Sequence, residues 1–161
     1  DLIYRNVSFN SEGEINNSQI IVGIAEGTSY PNFVFGYHRE SGLTAKINAT
    51  STTIGSGKTN TERIVAVMGD YAYTSADLSN SEISDLYAAK ICSDLDYNGY
   101  TDWFLPSKEE LSKYNKVAEE CDLGLAYQSS SEYSSTTVSG LYPYMYYEKG
   151  QALPIIAIRQ F

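Results

Sequence analysis

The stretch 85–111 constrains the fold more than any other, because it holds a helix, a tight turn, an extended segment and a second helix start in one short run. Leu86, Ala89, Ile91, Cys92 and Leu95 recur at roughly helical spacing, which predicts a helix with one buried face. Asn98-Gly99 breaks that run, since both residues tolerate the positive φ of a tight turn. Pro106 closes an extended Trp103-Phe104-Leu105 segment, and Ser107 with Glu110 has the spacing of a capping box that opens a second helix over about 108–120. Trp103 is expected to be buried, anchoring the extended segment between the helices.

The rest of the chain reads as β-structure around this pair. Residues 19–25 form a short apolar run, 32–37 alternate, and 155, 156 and 158 are isoleucines in a closing run too β-branched for a helix end. Residues 41–60 are rich in Ser, Thr, Gly and Asn and read as a long surface loop. A short helix is predicted over 62–68 with Thr61 as its cap, and 69–81 reads as a polar connection. Turn signals stand at Ser139-Gly140 and Lys149-Gly150. Strands, two helices and strands again predict one α+β domain over 1–161, with no repeat or linker dividing it.

Gly99-Tyr-Thr-Asp-Trp-Phe-Leu-Pro-Ser-Lys-Glu-Glu-Leu111, following a helix with Ala88 and Cys92, resembles the bacterial domain named after the C-terminal part of the Legionella collagen-like protein, long catalogued as a domain of unknown function. Ser129-Ser-Ser-Glu-Tyr-Ser-Ser135 is similar to that family's Trp-Ser-Ser-Ser-Glu segment. Ile155-Ile-Ala-Ile-Arg-Gln-Phe161 is similar to its closing strand and Ser41-Gly-Leu-Thr-Ala45 to its upstream His-Gly-Leu-Ile-Ala. The resemblance covers about 34–161. Gln128 stands where the family usually has Trp, Phe104 where it often has Arg, and Ala157 where some members have Cys. The resemblance implies a C-type-lectin-like fold, two helices packed on an antiparallel sheet with the terminal strands paired. It also implies an extracellular or cell-surface binding role, without naming a ligand.

Charge narrows the partners. The net charge of −9 and the pI of about 4.5 argue against long-range attraction to nucleic acid, anionic lipid or the sulfated glycans bound by the family's namesake. No segment approaches the roughly 18 apolar residues of a membrane span, so membrane insertion is not expected, and no signal peptide is recognisable. The chain does not begin with Met, so it reads as a processed or trimmed form. Cys92 and Cys121 are open between a disulfide joining the two helices and a pair of buried thiols.

The motifs that suggest chemistry have better structural readings. Gly55-Ser-Gly-Lys-Thr59 resembles a phosphate loop, but Thr52 and Thr53 stand where its first glycine should be and no apolar strand feeds it. Asp94, Asp96 and Asn98 reproduce the opening of a calcium loop, yet Leu105 occupies the place of the closing bidentate Glu. Calcium is therefore not expected, nor any other cofactor. His38 is the only histidine and lies in an apparent turn, so neither zinc nor a nucleophile pair is indicated, and the chain is not expected to be an enzyme.

What remains is the tyrosine-rich tail. Alternation from Tyr142 to Tyr147 places Tyr142, Tyr144 and Tyr146 on one face. If that face is outward it forms, with Gln128 and Glu132, a surface suited to stacking on a sugar ring or packing on a protein. The alternative is a cross-strand tyrosine ladder that only stabilises the sheet. The expected function is a surface recognition or adhesion module binding a glycan or protein; the other reading is a structural subunit of a bacterial surface assembly, pilus-like or at a fibre tip.

Overall fold

The computed structural model describes residues 2–7, 18–24, 32–77, 79–97, 99–113, 127–140 and 144–160. Helices and small antiparallel sheets mix in an α+β arrangement. Strand β1 (Leu2–Val7) pairs with β2 (Ser18–Ile24), and β2 pairs on its other edge with the last strand, β10 (Ile156–Gln160). In the second pairing Val22 lies opposite Ile156 and Ser18 opposite Gln160. The two ends of the chain thus meet in one sheet.

Between them, β3 (His38–Glu40) and β4 (Leu43–Ala45) make a hairpin, so His38 lies in a strand and the turn falls at Ser41 and Gly42. The stretch after β4 is no plain surface loop, because Ile47 and Ala49 are buried. Helix α1 (Gly57–Met68) begins five residues earlier than its apolar residues predicted. Thr61 does not cap it; within the helix its hydroxyl donates to the Gly57 carbonyl at 2.8 Å and accepts from the Leu105 amide at 3.0 Å. The polar connection that follows contains a second hairpin, β5 (Ala72–Tyr73) with β6 (Ile83–Ser84).

Helix α2 (Ala88–Ser93) buries Ala89 and Cys92 as the spacing predicted, and Ala88 with them; Ile91 and Leu95 are half-buried and Leu86 is exposed. The chain is still extended at Tyr87, with φ −115° and ψ 153°, so successive side chains alternate and Tyr87 rather than Leu86 points inward. Its hydroxyl donates to the Gly69 carbonyl at 2.6 Å, and burial pushes its pKa up to about 12. The segment after the turn pairs with the closing strand, Phe104 and Ile158 exchanging backbone hydrogen bonds at 2.8 and 3.0 Å. Helix α3 (Lys108–Lys113) then opens on the predicted capping box: the Ser107 amide donates to the Glu110 carboxylate at 2.7 Å and the Glu110 amide to the Ser107 hydroxyl at 3.4 Å. Residues 114–120 of the predicted helix lie outside the described residues.

Strands β7 (Gln128–Glu132), β8 (Thr137–Gly140) and β9 (Tyr146–Glu148) form the last sheet. Among the described residues, two apolar clusters hold these layers together. One joins α1 to this sheet through Phe35, Ile47, Ile64, Tyr87 and Val138; the other joins α2 to β10 through Cys92, Trp103, Leu105, Ile155 and Ala157. Neighbouring alanines on α2, Ala88 and Ala89, belong to different clusters, so this short helix is the wedge between them.

Candidate functional site: a tyrosine surface on a buried polar strand

β7 is the foundation of the site, and every one of its five residues is buried despite the sequence Gln-Ser-Ser-Ser-Glu. Serine is small enough to let neighbouring backbone approach, and its hydroxyl then satisfies the groups that arrive. Ser129 donates to the Ser139 carbonyl at 2.6 Å and Ser131 to the Ser51 carbonyl at 2.8 Å, while the Ser131 hydroxyl accepts from the Lys108 amide at 3.0 Å. Ser130 and Glu132 donate their amides to the Pro106 and Ala49 carbonyls, both at 2.8 Å. The strand is bonded on both edges, to β8 and to loops from three other parts of the chain.

Gln128 and Glu132 therefore do not belong to the surface on which the sequence placed them. Gln128 is enclosed where β7 meets the segments around Phe33 and Pro154. Glu132 is buried with its carboxylate accepting from the Ile47 and Asn48 amides, each at 2.8 Å, and paired with Lys149. Neither side chain of that pair reaches solvent, and the Lys149 ammonium also lies 5.4 Å from the centre of the Phe35 ring. Burial lowers the Lys149 pKa. Lys149 and Gly150 do form the expected turn, but the sequence carried no sign that this lysine points inward.

The tyrosines are what this base presents. Tyr133, next after Glu132, is 56% exposed, Tyr144 89% and Tyr146 41%. The Tyr133 and Tyr146 rings lie 4.1 Å apart at a tilt of 32°, and the Lys108 ammonium is 5.9 Å from the Tyr146 ring. Among the described residues of the tail no continuous ladder runs: β9 starts at Tyr146, and Tyr144 sits in the turn before it with a left-handed φ of 67°, uncommon for a side chain of that size. Tyr142 lies outside the described residues. Tyr147 faces the other way and packs on the core beside Phe35 and Val138. The sequence missed Tyr133, whose only signal was its place at the end of the serine run.

The other motifs are occupied by the chain itself. The loop resembling a phosphate site holds an internal anion, the Glu110 carboxylate, which accepts from the Gly55 amide at 2.8 Å and the Ser107 amide at 2.7 Å at the start of α1. Gly57 permits the approach, since a Cβ there would overlap that carboxylate and the Ser107 amide. Asp94 pairs with Lys90 at 2.6 Å, and Asp102 is gripped by Arg159 at 2.6 and 3.0 Å, with that guanidinium 3.7 Å from the centre of the Tyr100 ring. Asp96 is exposed, Asn98 lies outside the described residues, and no cluster of metal-ligating side chains occurs among the described residues. Cys92 is a free, fully buried thiol whose pKa burial pushes up; Cys121, the other half of the pair, lies outside the described residues. No helix among the described residues is long and apolar enough to cross a membrane.

Glu110 gives a pH prediction. Desolvation outweighs the backbone donors and raises its carboxyl above the ordinary Glu value. The folded state then binds more protons than the unfolded one, so this contribution is fully present below the ordinary Glu range and is lost as pH rises through the raised value. Urea midpoints measured from about pH 4 to 7 should fall more steeply for the native chain than for Glu110→Gln. Parallel slopes would refute the assignment.

Searches of protein-family models, curated proteins and solved structures give no match to this chain.

Proposed function

We propose that the chain is an extracellular or cell-surface recognition module that binds a glycan or protein through Tyr133, Tyr144 and Tyr146, on a C-type-lectin-like fold related to the domain of the Legionella collagen-like protein. The observation that carries this reading is the exposed, paired aromatic surface standing on a strand whose every residue is buried and hydrogen-bonded. The Tyr133 and Tyr146 rings, packed on each other, lose little freedom on binding, and each tyrosine offers both an apolar face and a polar tip. The role is binding without chemistry: Cys92 is sealed in the core, and the Glu110, Asp94 and Asp102 carboxylates are engaged within the chain. The acidic balance opposes nucleic acid as a partner.

A glycan and surface-protein array probed with the purified domain tests the reading. For any ligand it returns, Tyr144→Ala and Tyr146→Ala are each expected to weaken binding by about 2 kcal/mol or more, while stability changes by no more than about 0.5 kcal/mol. Normal binding by the double variant sinks the proposal. Ordered oligomers that grow with concentration and dissolve in the same variant would instead favour the structural subunit of a surface assembly.

A further inference from the structure

We propose that the cleft at the end of β9 is a subsite for an uncharged sugar residue, continuous with the tyrosine surface. The inference rests on the recognition reading and adds the ligand class. The cleft, about 380 Å³, lies between the turn after β9 and the turn of the β5–β6 hairpin, and is lined by Tyr37, Thr74, Ser75, Glu148, Gly150 and Gln151. That volume falls within the range of small-ligand sites. Because Tyr147 is turned to the core, Tyr146 and Glu148 share the outward face of β9, about 7 Å apart along the strand. One ring stacked on Tyr146 therefore places the next unit of an oligosaccharide at the mouth of the cleft.

The lining chooses the chemistry. Glu148 supplies its only charged group, a carboxylate that can accept hydrogen bonds and cannot donate them, so vicinal hydroxyls fit and sulfate, phosphate or carboxylate ligands are repelled. The Ser75 hydroxyl accepts the Asp77 amide at 3.1 Å, which leaves its proton to donate, and Tyr37 adds a second hydroxyl to the lining. Gln151 offers an amide that donates and accepts. The walls are fixed before any ligand arrives. Arg39 donates to the Ser75 and Asp77 carbonyls at 2.6 and 2.9 Å while lying 4.4 Å from the centre of the Tyr73 ring, so its charge holds the hairpin turn and does not line the cleft. Gly150 closes the floor, where any Cβ would collide with the Thr74 carbonyl.

The test is an NMR titration of the ¹⁵N-labelled chain with lactose, maltose, cellobiose and N-acetyllactosamine, alongside a sulfated lactose. At least one neutral disaccharide is expected to shift the Ser75, Gly150 and Gln151 amides, with affinity reduced about tenfold or more in Glu148→Ala and in Gln151→Ala and lower still for the sulfated sugar. No response at the cleft to any neutral member, or tighter binding of the sulfated one, overturns the proposal. If the Tyr144 and Tyr146 amides respond and the cleft does not, the subsite falls and the tyrosine reading stands. If the cleft responds and Tyr146→Ala leaves affinity unchanged, the proposed continuity with the tyrosine surface is overturned and the tyrosine reading is judged by its own double variant.

Discussion

Replacing Lys149 with methionine is expected to destabilise the domain by about 3–5 kcal/mol, because it removes the cation and leaves the Glu132 carboxylate buried. Two backbone amides, from Ile47 and Asn48, would still donate to that carboxylate, but neither carries a full charge. A neutral partner should reverse much of the damage: Glu132→Gln added to Lys149→Met removes the stranded charge, and the double variant is expected to be more stable than the single one. Urea denaturation of the native chain and of both single and double variants closes the cycle. A loss under about 1 kcal/mol in Lys149→Met would mean that the carboxylate is neutralised from elsewhere.

Trp103→Ala should cost a similar amount, about 3–5 kcal/mol, for a different reason. Trp103 is 3% exposed and fills the cluster of Cys92, Leu105, Ile155 and Ala157, with its indole N–H donating to the Tyr100 carbonyl at 3.0 Å. It stands beside Phe104, through which the extended segment is bonded to β10, so the void would open where the helical pair meets the terminal sheet. A measured loss under about 1 kcal/mol would show that this tryptophan serves something other than packing.

Local chemistry explains what the sequence disclosed. The capping box at Ser107 and Glu110 needs only residues close in the chain, and Asn98-Gly99 or Lys149-Gly150 mark turns by conformational preference alone. The closing strand was legible because a β-branched apolar run has few other uses, and its pairing with β2 agrees with the expected meeting of the termini. Gln128 and Glu132 were misplaced because polarity is a poor guide to burial once partners arrive from far along the chain. Glu132 is satisfied by amides 85 and 84 residues away and Ser131 by a carbonyl 80 residues away, none of which a local window contains. Leu86 failed in the opposite sense. Helical spacing was extended two residues too far, into backbone that is not helical.

Interleaving of fixed and free positions sets how this domain tolerates change. Glu132 is locked in the interior and Tyr133 beside it stands in solvent; Glu148 is exposed and Lys149 beside it is sealed. A library randomised at 133, 144, 146 and 148 would thus redraw the outer face while leaving the frame beneath it intact, whereas the same library displaced by a single residue at 133 or 148 would strike the buried ion pair. The tail behaves as a set of interchangeable tips on a non-negotiable stem, which makes it a practical scaffold for selecting new binders.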